Sequence, residues 1–250
     1  MTLLAAVLAF MVGVTLGLLG GGGSILTVPA VVFALGIDAK LAIVMSFPIV
    51  GGAALVGAVQ HWRLGYVDLR VALLFGLATM AGAFGGGWLG RGIPGQVQFV
   101  ILAVVMLGAA GSLFHNAKFA ERTVVEPRGV SPQLLAIGVA TGLLTGLVGV
   151  GGGFLLVPAL VLFADVPMKK AIGTSLLVIA MNTAAAYAGS HGSLDVPWRI
   201  VLAFGSFTAA GIILGTMLVP RVPVPALKRG FAALLVAMSV YIFWLFYSAL

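Results

Sequence analysis

GLLGGGGSILTVPAVVFALG, residues 17–36, returns as GLVGVGGGFLLVPALVLFAD, residues 146–165. A shift of 129 residues sets Gly17 on Gly146, Gly20 on Gly149, Gly22 on Gly151, Gly23 on Gly152 and Pro29 on Pro158. Without a gap it goes on to match Lys40 with Lys169, Ser46 with Ser175, Gly76 with Gly205, Gly82 with Gly211, Gly86 with Gly215 and Pro94 with Pro223. Shared apolar composition does not hold one register over that length. The chain therefore reads as a duplication, with residues 1–114 as the first repeat, 115–131 as a polar linker and 132–250 as the second repeat.

The segments around these motifs are apolar for membrane-spanning lengths. The 250 residues are 62% hydrophobic and 8% charged, with mean hydropathy +1.23. A soluble domain needs about 25% charged residues to cover its surface, so this composition excludes one. The net charge of +7 comes from basic residues placed singly or in pairs between apolar runs. That scatter suits the loops of a membrane protein and not a nucleic-acid surface. No cysteine is present, which removes disulfides and thiolate metal sites. The N-terminus lacks a basic start and reads as the first helix of the fold rather than a leader.

A straight helix over residues 3–35 would be about 50 Å long, against a hydrocarbon core of about 30 Å. Four consecutive glycines, Gly20 to Gly23, break it instead. Two short helices are expected, near 3–19 and 24–35, followed by helices near 40–60, 68–89 and 95–114. After the polar linker the pattern restarts at 132–148 and 154–164, then 169–189, 197–219 and 226–249.

Charge sets the expected topology. If each glycine-broken segment enters and leaves on one side and three crossings follow, the second repeat is inverted. One face then receives Arg63, Arg70, Lys118, Arg122, Arg128, Lys169, Lys170, Arg221, Lys228 and Arg229, and the other only Lys40, Arg91 and Arg199, a 10 to 3 split. Parallel repeats give 6 to 7. The positive-inside rule favours the first arrangement. The expectation is an all-α polytopic membrane protein of two inverted-topology repeats, each with a glycine-broken first segment followed by three transmembrane helices. Both termini lie outside a bacterial inner membrane and the 115–131 linker lies in the cytoplasm.

A helix broken inside a bilayer frees backbone N–H and C=O groups that lipid cannot satisfy, so the break is buried or lines a polar path. Broken helices in duplicated halves are a transporter feature. The second short helices would present free N–H donors and a positive dipole end, which suit a small anion. Gly22, Gly23, Gly151, Gly152 and Gly153 are candidates to line that site through close backbone approach; tight helix packing is the other use of such glycines. Pro29 and Pro158 would shape the short helices. Ser24 is a candidate cap, with Thr27 one turn on. Ser46, Thr174 and Ser175 either bond solute or bond back to their own helix. Asn182, an amide deep in an apolar segment, needs a partner, either solute or a neighbouring helix. His61 and His191 fall at helix ends, where water exposure is the commoner case and proton coupling the other reading. Trp62, Trp88, Trp198 and Trp244 read as interfacial anchors.

The paired GLLGGGGSILTVPA and GLVGVGGGFLLVPAL, with KKAIGTSLLVIAMNTAAAY and HGSLDVPW, resemble the TauE/SafE family of membrane permeases over nearly the whole chain. The resemblance implies export of sulfite, sulfoacetate or other organosulfonates. It marks Gly20–Pro29, Ser46, Gly149–Pro158 and Gly173–Ser175 as the central region. The first repeat reads Val44, Met45, Ser46 where the second has Gly173, Thr174, Ser175.

The leading reading is a secondary transporter, an exporter of a small anion, with no cofactor and no metal. Rival readings are a passive anion channel, a non-transporting scaffold subunit and a membrane enzyme. Against an enzyme stands the absence of HExxH, GxSxG and a paired-carboxylate signal, and without GxxxxGK[ST] any pumping would need a separate subunit or an ion gradient. The expected partners are the solute and the lipid bilayer; coupling to protons or sodium and self-association stay open.

Overall fold

The computed structural model describes residues 3–115, 132–148, 153–190, 195–227 and part of 229–240. The linker, residues 149–152, His191 and most of the expected last helix lie outside the described residues. The described elements are α1 (Leu3–Leu19), a 3₁₀ turn (Gly20–Leu26), α2 (Thr27–Leu35), α3 (Ala39–Arg63), α4 (Leu69–Gly90), α5 (Gly95–His115), α6 (Pro132–Val148), α7 (Gly153–Phe163), α8 (Met168–Ser190) and α9 (Trp198–Leu218). A second short 3₁₀ turn, Val219–Arg221, closes α9.

The helix ends follow local chemistry. Asp38 and Asp68 precede α3 and α4, and their carboxylates accept from Lys40 N and Val71 N at 2.8 and 3.0 Å. Gly36, which ends α2, and Gly65, in the α3–α4 corner, both sit at positive φ. Pro48 lies inside α3 without ending it, as buried membrane helices allow.

The expectation of two inverted repeats with three spanning helices each is overturned. Among the described residues four helices are long and apolar enough to cross a membrane: α3, α4, α8 and, with its closing turn, α9. That is two per repeat rather than three. The remaining apolar helices, Leu3–Leu19, Gly23–Leu35, Gly95–Val105 and Pro132–Val148, are shorter than a span. The physical reason is length. Twenty-five residues of α3 reach about 37 Å, but the seventeen of α1 or α6 reach only about 25 Å. Glycine runs leave those helices short of a full span. The odd crossing count behind the inverted arrangement is lost with them.

Glycine also sets the packing. In the seam between α4 and α6, a Cβ on Gly82 would sit 2.1 Å from Val139 O, and one on Gly142 would sit 2.0 Å from Thr79 O. Between α1 and α9, Gly13 faces Thr208 O at 2.0 Å and Gly211 faces Phe10 O at 2.1 Å. Backbone meets backbone, as small residues permit in membrane bundles. Contacts advance together along both helices of each seam, so each pair runs in parallel. Between α3 and α8, Gly51 meets Thr183 while Gly57 meets Leu176 and Gly173 meets His61, so that pair is antiparallel. α3 and α8 are the most buried of the four spans.

Polar ties close both ends of the bundle. Lys40 Nζ donates to Gly90 O, to Ile93 O at 2.7 Å and to Gln98 Oε1 at 3.3 Å, capping the carbonyl end of α4. Arg91 Nε donates to Gly189 O at 2.7 Å near the end of α8. At the other end Lys169 Nζ donates to Pro220 O at 3.2 Å, just beyond α9. Trp62, Trp88 and Trp198 are exposed, in keeping with their reading as anchors.

Candidate functional site

The two glycine breaks touch. A Cβ on Gly21 would fall 1.8 Å from the Gly153 Cα, and one on Gly153 would fall 1.9 Å from the Gly21 Cα. No side chain fits between them. The first break turns at Gly20, whose φ of 64° is a left-handed conformation that glycine adopts without strain. The 3₁₀ turn then folds back on α1, and a Cβ on Gly23 would lie 2.2 Å from Leu16 N. Gly22 belongs to the same turn. Across the crossing, Gly153 opens α7, an eleven-residue helix whose first N–H groups lack intrahelical partners.

Several candidates gather here. Ser24 and Thr27 are fully buried. Ser24 Oγ donates back to Gly21 O at 2.7 Å, and the residue before α2 makes no side-chain cap. Ser24 is therefore not the expected cap: the 3₁₀ turn delays the α-helix to Thr27. Thr27 Oγ1 is buried with no hydrogen-bond partner. From α8, Ile179 reaches the crossing, its Cδ1 2.4 Å from the Cβ position of Gly153. Asn182 follows Ile179 by three residues, one helical turn on the same face. Both of its amide atoms are buried without a partner. Ser175 Oγ lies 2.8 Å from the Cβ position of Gly20 and donates to Ile172 O at 2.8 Å.

Other candidates lie apart or outside. Ser46 Oγ donates to Ile43 O at 2.7 Å within its own helix. Thr174 Oγ1 accepts from Asp68 N at 3.0 Å and so ties α8 to the start of α4. Pro29 and Pro158 lie within α2 and α7, Pro158 buried. Gly151 and Gly152 lie outside the described residues.

An unpaired buried hydroxyl or amide costs about 1–3 kcal/mol, so each such group in a native fold calls for a reason. Thr27 brings a hydroxyl and Asn182 an amide, each able to donate and to accept. Both groups sit on elements, α2 and α8, that pack against the 3₁₀ turn of the crossing.

Sequence reading missed the surroundings of His61. The side chain is fully buried, not exposed. Its Nε2 stands 3.2 Å from Gly17 O in the last turn of α1, and its Cβ lies 2.9 Å from the Cβ position of Gly173. Glycine at 173 was the available signal, since it lets the corner around His61 pack close against α8.

The chain matches the family model described as sulfite exporter TauE/SafE over residues 5–242. It is 33% identical to a probable membrane transporter protein of Xylella fastidiosa strain 9a5c, covering 96% of this chain and 94% of that one. It is 25% identical to a probable membrane transporter protein of Haemophilus influenzae, covering 96% and 97%. Against YdhB of Bacillus subtilis, also a probable membrane transporter protein, identity is 25% over 88% of this chain and 92% of the other. No solved structure matches the chain.

Proposed function

Because the chain belongs to the sulfite exporter TauE/SafE family, we propose that this multi-pass membrane transporter exports a small oxyanion, sulfite or an organosulfonate, through the crossing of its two glycine breaks. The observation that carries the reading is the backbone contact of Gly21 with Gly153, beside the unpartnered Thr27 hydroxyl and Asn182 amide. An oxyanion accepts from N–H and O–H groups and needs no side chain between them. A helix start favours negative charge by about 0.3–1 kcal/mol when exposed, and more where water is excluded. Gly22, Gly23, Ser24, Thr27 and Gly151 to Gly153 would form the walls, with Ser175 and Asn182 from α8; Pro29 and Pro158 would angle the short helices. Ser46 and Thr174 would hold the frame. Multi-pass topology is consistent with a bacterial inner membrane.

Orientation follows from charge. The end of the bundle with Arg63, Arg70, Lys169, Lys170 and Arg221 is the more basic, and by the positive-inside rule it faces the cytoplasm. Gly17, near the end of α1, lies beside His61 at that end, so the N-terminus would start outside. An impermeant thiol reagent on intact cells is expected to label Leu3→Cys and not Thr123→Cys; the reverse pattern would overturn the orientation.

The substrate test uses purified protein with sulfite, sulfoacetate, taurine, sulfate, chloride, alanine and divalent metals. Saturable binding of sulfite or sulfoacetate is expected. Binding of a neutral solute or metal, with none for any sulfur oxyanion, would sink the assignment. In proteoliposomes, conductance far above carrier turnover would point to a channel instead.

A further inference from the structure

His61 is buried at the inner corner of α1, α3, α8 and α9. Its Nε2 faces Gly17 O at 3.2 Å. A carbonyl oxygen only accepts, so this bond requires the hydrogen on Nε2. In the neutral ring Nδ1 then carries a bare lone pair, and Nδ1 is buried with no partner. On the other side of Gly17, Thr216 Oγ1 is also buried without one, its backbone nitrogen 2.8 Å from the Cβ position of Gly17. The corner therefore contains an unsatisfied base and, one residue away across Gly17, an unsatisfied hydroxyl.

We propose that His61 is the proton-binding residue of the transport cycle, taking a proton at Nδ1 while Nε2–H stays on the carbonyl that closes α1. Hydronium at one side gives its proton to the Nδ1 lone pair, one O–H bond breaking as the N–H bond forms and water remaining, and the ring carries the positive charge until the proton passes to water on the opposite side. The position links this charge to the solute path. Gly17 belongs to the last turn of α1, whose carbonyls have no intrahelical donors, and Gly20, three residues on, starts the break. An imidazolium at a helix C-terminus is favoured by the helix dipole. Gaining or losing the proton therefore strengthens or weakens the hold on the end of α1 next to the crossing. Such a local charge change acts globally when it biases an element with two arrangements.

The neighbouring elements bring few competing charges. α1 has none. α9 has only Arg199, in its first turn, with Arg221 beyond its end. α8 brings Lys169, engaged with Pro220 O, and Lys170. α3 carries Arg63 near His61 and Lys40 at its far end. The corner after α3 brings Tyr66, its ring centroid 6.3 Å from that of His61, and Asp68, whose carboxylate accepts from Val71 N.

This inference rests on the transporter reading, and the test separates the two. His61→Gln keeps an N–H that reaches the Gly17 carbonyl but has no titratable nitrogen. Wild type and variant are reconstituted and assayed with radiolabelled sulfite for accumulation driven by a proton gradient and for sulfite exchange at equal pH. The variant is expected to lose accumulation, and the proton flux that sulfite evokes, while keeping exchange at a rate comparable to wild type. Unchanged accumulation would overturn the proposal, and so would equal loss of accumulation and exchange. Isotope-labelled histidine NMR adds a readout that needs no substrate. Comparison with His61→Gln assigns the His61 signals, which are expected to pass from the neutral Nε2–H form to imidazolium as pH falls. A ring that stays neutral throughout would refute the proposal. If wild type exchanges no sulfite but His61 titrates, the oxyanion reading fails and the proton site stands.

Discussion

Glycine does two different jobs in this protein. In the α4–α6 and α1–α9 seams it brings backbone against backbone, and Thr79 and Thr208 there bond within their own helices, to Gly76 O at 2.8 Å and Phe204 O at 2.9 Å, while Thr216 at the Gly17 end of the second seam has an unpaired hydroxyl. At the Gly21–Gly153 crossing the approach is equally close, but Thr27 and Asn182 are left with unpaired polar atoms. Close packing alone does not mark a site. Under the proposed function the crossing is the path because an amide and a hydroxyl from two different elements are left unpaired there, where the seams leave at most one hydroxyl.

The largest expected effect falls on the seams. Gly82→Leu puts a side chain where Val139 O stands 2.1 Å away, and backbone cannot yield as a side chain can. A loss of about 3 kcal/mol or more is expected, the upper range of overpacking, seen as a collapsed thermal melt and little monodisperse protein. A variant that melts like wild type would erase the seam side of the contrast.

At the crossing the expectation is inverted, with stability kept and function lost. Asn182→Leu removes two unpaired buried atoms, so melting should hold or rise, by an amount within the roughly 1–3 kcal/mol such groups cost. Sulfite transport should fall to background. Thr27→Val should do the same more weakly, with one hydroxyl deleted. If Asn182→Leu transports normally, the amide does not line the path; if it melts much lower, the amide is structural.

The mildest test uses a pair that the repeat makes equivalent and the packing does not. Gly205 has open space around its Cβ position, whereas Gly76 meets the end of the Met181 side chain at 2.9 Å. Gly205→Ala is expected to stabilise by up to about 1 kcal/mol through helix propensity. Gly76→Ala is expected to gain nothing and to cost under about 1.5 kcal/mol as Met181 shifts. Equal effects on melting would mean that the register, not the local packing, decides what these glycines do.

Much of this was legible in the residues. The helix ends of α1 and α6 fell where glycine runs and the polar linker put them, because helix breaking depends on the nearest few residues. Thr27 and Asn182 stood out as polar groups in apolar segments. Ser24 did not behave as read, because a 3₁₀ turn rather than an α-helix follows Gly20, and the two differ by small dihedral changes that composition does not encode. His61 was misplaced for a related reason: nearness to a helix end implied water, and the ring is buried by α1, whose Gly17 O it bonds, and by α8 at Gly173.

The sequence by itself determined the membrane class, the duplication with its 129-residue register, the helical segments and the family resemblance, all of which depend on composition and local pattern. Tertiary structure decided that, among the described residues, two helices per half are long enough to span, that Gly21 meets Gly153, and that His61 lies buried on the end of α1. These depend on contacts between residues tens to more than a hundred positions apart. Such contacts are set by which surfaces pack when every helix is placed at once, and no window along the chain contains both partners.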